Sequence, residues 1–269
     1  MVDKDKIGEI MAKRKIISLV VGGPGEGKTH FACSHPKCVV VVTEPNTEET
    51  WLNKEELRKN VIDWRSFIPD KDNLEVSLKS IYGNPADSTL IKYLNEVRER
   101  AKKGEVETLV LDNATYFVKN KWDYIEHFEV QKTKMGETNT MAMYGALRNW
   151  NYEFFRNYIL TFPGNVCITA HQIVEHEEAM EKKVDKSLEI VPDIMGSFRN
   201  DIMGLVSNVF FLIKEVKKEN GVWVKKYNAI TEKIMQRGGK NRCNLPPIVE
   251  NVNYARIRLE MDNAMKGVK

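Results

Sequence analysis

The chain has 269 residues, of which 42% are hydrophobic and 29% charged, with 41 lysines and arginines against 38 aspartates and glutamates. This apolar content excludes a mainly disordered chain, and a chain of this length can bury a full core without disulfides or a structural metal. The longest apolar runs fall far short of the roughly 20 residues that a membrane span needs. The charged N-terminus lacks the apolar core of a secretory signal, so we expect a cytoplasmic protein without a membrane partner.

Apolar, β-branched runs recur along the chain, and helical patterns lie between them. Continuous apolar runs of roughly four to eight residues are typical of strands buried on both faces of a parallel sheet. Residues 87–102 and 145–160 show the spacing of amphipathic helices. This alternation predicts an α/β fold with a mostly parallel central sheet, formed by residues 15–269 as a single domain after an N-terminal segment of residues 1–14. The predicted strands are residues 16–21, 39–43, 108–111, 166–169 and 209–213, with looser candidates at residues 225–230 and 254–260.

A glycine-rich motif directly follows the first predicted strand. It matches G-x-x-x-x-G-K-[ST] between a strand and a helix, where glycines let backbone N–H groups surround phosphates and the helix presents its N-terminal dipole to them. Lys28 would reach the β- and γ-phosphates of ATP, and the Thr29 hydroxyl would ligate Mg²⁺. The predicted cofactor-binding residues are Gly22, Gly23, Pro24, Gly25, Glu26, Gly27, Lys28, Thr29 and His30.

Two carboxylates are expected to complete this site. The fourth residue after Thr108 is Asp112, which ends an apolar strand at the position from which P-loop NTPases hold the Mg²⁺ shell. Asn113 follows it, not glutamate, so the base that activates water must lie elsewhere. Glu44 comes directly after the second strand, and in a sheet where that strand neighbours the first it would lie near the phosphate loop. We therefore predict Glu44 as the catalytic base, with Glu48 and Glu49 as competitors.

The order of these elements resembles the RecA-type ATPase core, with helices on both faces of the sheet. RecA-like recombinases carry a polar γ-phosphate sensor at the end of the fourth strand, and the resemblance implies that role for Gln172 or His171. The segment Gly238-Gly239-Lys240-Asn241-Arg242 resembles the Lys-x-Arg couplet of RecA-like and DnaB-like assemblies, which reaches a neighbouring subunit's ATP. The resemblance thus implies a homo-oligomer, ring or filament, in which Lys240 and Arg242 are catalytic in trans.

The patterns GGPGEGKTHFA, TAHQ and PDIMGSFRNDI look most like phage-encoded nucleotide-binding proteins, some of which are single-strand annealing recombinases of the Sak type. That resemblance implies the host cytoplasm, single-stranded DNA as a partner, and a single-strand binding or replication protein as a further one. The family's DNA loops would fall at residues 119–144 and 173–196. Residues 175–189 carry a net charge of −3, which should repel phosphate, whereas the segment from Lys214 to the C-terminus carries +7. The aromatic candidates for base stacking in the first loop, which are more often core residues, are Trp122, Tyr124, Phe128 and Tyr144.

Other interpretations stay open. The chain could be an accessory ATPase that acts on a protein partner, such as a helicase loader or a packaging factor, or a nucleotide-binding regulator with little turnover. Lys240 and Arg242 could form no more than a basic turn, Glu44 could be a solvated loop residue, and the basic C-terminal segment could be a solvated surface.

Overall fold

The computed structural model describes residues 15–130, 132–133, 136–176, 188–219, 221–234 and 236–266. The strands in this part of the chain are β1 (Ile17–Gly22), β2 (Cys38–Val42), β3 (Val61–Ser66), β4 (Thr108–Asp112), β5 (Asn165–His176), β6 (Leu188–Pro192), β7 (Asn208–Glu219), β8 (Val222–Ile230), β9 (Lys233–Ile234), β10 (Arg237–Gly238), β11 (Lys240–Asn241) and β12 (Ile248–Val249). The α-helices are α1 (Lys28–Cys33), α2 (Glu49–Leu52), α3 (Glu55–Arg58), α4 (Leu74–Tyr82), α5 (Thr89–Lys102), α6 (Ala114–Phe128), α7 (Thr140–Phe154), α8 (Phe198–Leu205) and α9 (Tyr254–Lys266). Among the described residues, no helix combines the length and the apolarity that crossing a bilayer requires.

The main sheet has the strand order β12-β8-β7-β1-β5-β4-β2-β3. The strands from β7 to β3 are parallel to their neighbours, whereas β8 and β12 add an antiparallel edge. The predicted mostly parallel sheet is therefore confirmed. The expectation that the second strand neighbours the first is wrong, because β5 and β4 lie between β1 and β2. β4 and β5 carry apolar runs that are buried on both faces. Such strands suit the interior of the sheet, where helices pack on both sides.

Alternate residues of the parallel strands face two separate cores, which explains why their sequences are apolar throughout. Leu19 and Val21 of β1 pack on one side with helices α4 to α8, as do Leu109 and Leu111 of β4. Val20 packs on the other side with α1 and α9. Helices thus cover both faces of the sheet, as predicted.

The predicted helices exist but begin at different residues. The Ser88 hydroxyl accepts a hydrogen bond from the Ile91 N–H (3.2 Å) and caps the start of α5. The other helix begins earlier than predicted, because the Asn139 side chain caps α7 through the Ala142 N–H (3.1 Å). It continues as a π-helical turn, Phe155–Ile159.

Two segments differ in kind from their predictions. Residues 254–260, predicted as a strand, belong to helix α9: Asn253 caps it through the Arg256 N–H, and Ile257 and Met261 are buried four residues apart, which is helical spacing. Residues 173–196, expected to form a DNA loop, include the end of β5 paired antiparallel with β6. Residues 177–187 of that segment lie outside the described residues.

Candidate functional site

Four adjacent parallel strands end side by side at the carboxyl edge of the sheet and bring the predicted polar residues together. In the sheet register Gly22 of β1 lies opposite His171 of β5. Asp112 ends β4 opposite Val42 of β2, and the Thr43 N–H donates to the Asp112 carbonyl (2.9 Å). Glu44 therefore reaches the phosphate loop across β4 and β5, although β2 does not neighbour β1. Ligands bind at this edge in open α/β sheets.

The phosphate loop connects β1 to α1 and depends on glycine at its last position. Gly27 has φ +90°, and a Cβ atom there would lie 2.7 Å from the Tyr227 ring. Lys28 is buried and its ammonium donates to the carbonyls of Gly22 and Gly23, both at 3.0 Å. Burial lowers the pKa of Lys28, while the charges of Asp112, Glu44 and Glu26 raise it. The Glu26 carboxylate folds back and accepts the Gly23 N–H.

Asp112 is fully buried beside the loop, held by two hydroxyl groups. The Thr29 hydroxyl donates to Asp112 Oδ2 (2.7 Å), and the Thr169 hydroxyl of β5 donates to Oδ1. Burial raises the pKa of Asp112, and these two hydrogen bonds oppose the shift. The described residues contain no group of three or more His, Cys, Asp or Glu side chains that could hold a metal. The hard oxygens of Thr29 and Asp112 suit Mg²⁺ if phosphate and water supply the remaining ligands.

Glu44 is held by a side chain on each of its two sides. Asn113 caps α6 with its Oδ1, which accepts the Tyr116 N–H (3.0 Å), and this orients its Nδ2 to donate to Glu44. On the other side His171 Nε2 lies 3.1 Å from Glu44 Oε1. His171 Nδ1 lies 3.4 Å from Lys28 Nζ, which can only donate, so Nδ1 accepts from Lys28 and Nε2 donates to Glu44. The site thus contains a continuous chain from Lys28 through His171 to Glu44.

A cleft of about 330 Å³ opens on the other side of the phosphate loop. His30, predicted to bind the cofactor, stacks there on Tyr227 of β8 with ring centroids 5.9 Å apart. Burial, and secondarily the charge of Lys54, lowers the pKa of His30. Sequence reasoning missed Tyr227 because the hairpin that carries it is about 200 residues away along the chain and bears no motif. The cleft is lined by Gly25, Gly27, Lys28, Thr29, His30, Glu49, Thr50, Asn53, Lys54 and Tyr227.

Gln172 lies in a second cleft, which also contains Pro24, Glu44, Lys119 and His171. A Cβ atom on Gly23 would lie 3.3 Å from Gln172 Nε2, so this amide packs against the loop. Its Oε1 is buried and has no hydrogen-bond partner within the described residues. Of the two sensor candidates, His171 contacts both Lys28 and Glu44, whereas Gln172 borders the loop.

Lys240 and Arg242 lie far from this cluster. Lys240 of β11 pairs with Val209 at the start of β7, so it lies at the amino edge of the sheet, opposite the phosphate loop. Its ammonium donates to the carbonyls of Met203, Gly204 and Val206 at the end of α8, at 2.8 to 2.9 Å. Arg242 is exposed. Within one subunit, therefore, Lys240 caps a helix, and the structure does not bring either residue to the ATP site.

The predicted DNA loops are mostly regular structure. Residues 119–128 belong to α6 and residues 140–144 to α7. Trp122 stacks on Tyr144 with centroids 4.6 Å apart, and Trp122, Tyr124 and Phe128 pack against the core. Lys119 is exposed and borders the cleft next to Glu44.

Together, a buried lysine within a glycine loop, a carboxylate bonded to the following threonine, and a second carboxylate within reach define a P-loop ATPase. A family model described as an AAA domain matches residues 14–243, and the chain belongs to this family. No curated protein sequence matches the chain significantly.

Two solved structures match the chain at low similarity. One is described as a prototypical ATPase from the type III secretion system of pathogenic bacteria, with 13% identity and a TM-score of 0.41 over 74% of this chain and 51% of that chain. The other is a KaiC-like protein from the hyperthermophilic archaeon Pyrococcus horikoshii OT3, with 12% identity and a TM-score of 0.36 over 80% of this chain and 78% of that chain. The chain thus spans about half the length of the first structure.

Proposed function

We propose that this ATPase hydrolyses MgATP with Glu44 as the base, and that it works as a homo-oligomer on single-stranded DNA in recombination or replication. The observation that carries the catalytic part is the hydrogen-bonded chain from Lys28 through His171 to Glu44, beside the Thr29–Asp112 pair. The DNA part is supported by the likeness to phage-encoded Sak-type recombinases and by the net charge of +7 from Lys214 onward.

In the proposed reaction each residue has a separate role. Lys28 gives up its two loop carbonyls and binds the β- and γ-phosphates, whose charge offsets the cost of burying the ammonium. Thr29 and Asp112 would hold Mg²⁺, which would neutralise phosphate charge when bound. Glu44 accepts a proton from water, and Gln172 faces the γ-phosphate. Asn113 and His171 position the Glu44 carboxylate.

The resting contacts of Glu44 have a mechanistic consequence. The Glu44 carboxylate accepts hydrogen bonds from both Asn113 and His171, and these two contacts fix its orientation. His171 joins Glu44 to the lysine that binds phosphate. We infer that when Lys28 moves to the phosphates, His171 loses that neighbour and its contact with Glu44 changes, which couples nucleotide binding to the position of the base.

We propose that Arg242, rather than Lys240, contacts the ATP of the neighbouring subunit. Lys240 already satisfies all three of its ammonium donors on α8, whereas Arg242 is exposed. An arginine from the next subunit would neutralise charge that develops on the transferred phosphoryl group. Mixing Lys28→Ala and Arg242→Ala subunits tests this, because the second supplies an intact ATP site and the first an intact finger. Mixtures that recover activity support the contact, and mixtures that stay inactive contradict it.

The overall proposal is tested by the ATPase rate with and without single-stranded DNA, together with mass by light scattering in a nonhydrolysable ATP analogue. Stimulation by DNA and assembly with the analogue support it. A monomer whose ATPase ignores DNA overturns the recombination assignment and leaves the ATPase standing. Activity raised only by a protein partner favours the accessory-ATPase interpretation.

A further inference from the structure

The β7–β8 hairpin projects beyond the carboxyl edge of the sheet. Strand β1 pairs with β7 only from Asn208 to Phe211, and β12 pairs with β8 only at Ala229 and Ile230. The two hairpin strands nevertheless stay paired as far as Glu219 and Val222. Residues 214–219 and 222–226 therefore form a two-stranded ribbon whose side chains are mostly exposed on both faces.

On one face of this ribbon the acidic and basic side chains are equal in number. Side chains alternate between faces along each strand, which places Glu215, Lys217 and Glu219 of β7 on the same face as Lys226 of β8. Lys217 forms an ion pair with Glu215 (2.8 Å), and Lys226 forms one with Glu219. Every acidic residue of the ribbon lies on this face, and each is paired with a lysine.

The other face carries positive charge and aromatic surface. It presents Lys214, Val216 and Lys218 on β7, opposite Trp223 and Lys225 on β8, and we call these five residues the hairpin strip. All five are exposed, Trp223 to 68%. Within the described residues none of the three lysines of the strip forms an ion pair. An exposed tryptophan beside three unpaired lysines offers a partner both a stacking surface and positive charge.

The spacing of the strip suits a single strand of nucleic acid. Trp223, Lys225 and Tyr227 follow one another on one face of β8, two residues apart, which is roughly 6.6 to 6.8 Å in a strand. This repeat alternates a ring that can stack on a base with a cation that can meet a phosphate. Tyr227, the next residue of the face, packs on Gly27 of the phosphate loop, so the strip leads toward the ATP cleft.

We propose that the hairpin strip binds single-stranded DNA, with Trp223 stacking on a base and Lys214, Lys218 and Lys225 contacting phosphates. This inference rests on the proposed DNA-dependent function and names the surface that would serve it. The opposite, charge-balanced face of the same hairpin does not take part.

The test measures the affinity of the full chain for fluorescein-labelled oligothymidine by anisotropy at several salt concentrations. Trp223→Ala should weaken binding about tenfold, the effect of losing one stacked base, and Trp223→Phe should restore most of it. Val222→Ala is the matched control, since Val222 is 66% exposed on the opposite face. Equal affinities for wild type and Trp223→Ala overturn the inference.

The charge contribution is tested by two double variants with the same change in net charge. Lys218→Ala with Lys225→Ala should reduce the slope of log affinity against log salt by about 1.4. Lys217→Ala with Lys226→Ala, on the balanced face, should leave the slope unchanged. Equal effects of the two pairs overturn the inference.

Further outcomes separate this inference from the proposed function. Wild type that hydrolyses ATP but binds no oligothymidine overturns the DNA function and the strip together. DNA binding that is insensitive to Trp223→Ala overturns the strip alone. A Trp223→Ala variant that binds DNA normally but has an altered mass in light scattering makes the strip a subunit interface and overturns its assignment to DNA.

Discussion

Buried or partly buried lysines lie at both edges of the parallel sheet but have different roles there. At the carboxyl edge helices begin: α1 starts at Lys28, and α6 starts directly after Asp112 and Asn113. At the amino edge helices end: α1 ends just before His35, and α8 ends just before β7. Free N–H groups therefore face the first edge and free carbonyls the second.

This difference decides what a cation does at each edge. Lys240, at the amino edge, donates to three carbonyls at the end of α8, where a positive charge also suits the helix dipole. Lys28, at the carboxyl edge, is buried among helix N-termini that favour anions, with only two loop carbonyls and a histidine as partners. Lys240 is satisfied within the fold, whereas Lys28 gains most from a phosphate.

The largest effect is expected at the base of the carboxyl edge. Glu44→Gln keeps the size of the side chain and one accepting oxygen but removes its proton affinity, so ATP turnover should fall by on the order of 10² to 10⁴. ATP binding, measured by equilibrium titration, should persist. Glu75→Gln is the matched control, since Glu75 is exposed on α4 and lines neither cleft. Unchanged turnover in Glu44→Gln removes Glu44 as the base.

A somewhat smaller effect is expected at the lysine of the same edge. Lys28→Ala removes the cation that meets the phosphates, and turnover should fall by on the order of 10² to 10³. The melting temperature should not fall, because burial desolvates the ammonium of Lys28 at a cost in free energy that alanine does not have. A Lys28→Ala variant that melts lower and still turns over ATP would make Lys28 a structural residue like Lys240.

Local sequence was sufficient to predict the residues of the carboxyl edge. The phosphate loop, Asp112 and Glu44 each follow an apolar run directly, and the ends of parallel strands share one edge in any order of strands. That is why Glu44 was found although the assumed neighbour of β2 was wrong. The strand order itself depends on long-range burial, which a single run of residues does not encode.

Contacts between distant segments could not be predicted in this way. Asn113 was noticed only as the absence of a glutamate, yet its amide both caps α6 and holds Glu44. Tyr227 packs on Gly27 because β8 lies at the end of the sheet next to the loop. Lys240 was interpreted through its motif, and its bonds to α8 follow from the pairing of β11 with β7.

The amino edge offers a third prediction, because His35 caps α1 there. His35 is fully buried, its Nδ1 lies 3.0 Å from the Ala32 carbonyl, and burial lowers its pKa to about 4. The folded state thus favours the neutral ring, while the unfolded chain takes up a proton below about pH 6.5. Stability should fall as pH drops through this window, by about 2 kcal/mol from His35 at roughly pH 5.

Urea unfolding at several pH values measures this effect. His35→Asn should flatten the pH dependence between roughly pH 5 and 7, whereas His127→Asn, at an exposed position, should not. NMR titration of the His35 ring gives its pKa directly. A pKa near 6.5 would show that His35 contributes nothing to the pH dependence of the stability.

The smallest effect is expected for Lys240→Ala, and it separates the two roles of the Lys-x-Arg couplet. Loss of the ammonium leaves three carbonyls at the end of α8 without their donor, and the free energy of unfolding should drop by about 1 to 2 kcal/mol. Arg242→Ala, two residues away and exposed, should leave the free energy of unfolding unchanged. Urea unfolding of the two variants compares them directly.

The ATPase rates of the same two variants complete the comparison. If Arg242 alone reaches a neighbouring site, Arg242→Ala lowers turnover at full stability, while Lys240→Ala lowers stability and affects turnover only as far as folded protein is lost. Equal stability of Lys240→Ala and wild type, with turnover lost, would mean that Lys240 leaves α8 in the assembled protein. The amino edge would then supply cations to ATP as the carboxyl edge does, and the contrast between the two edges would hold only for the isolated subunit.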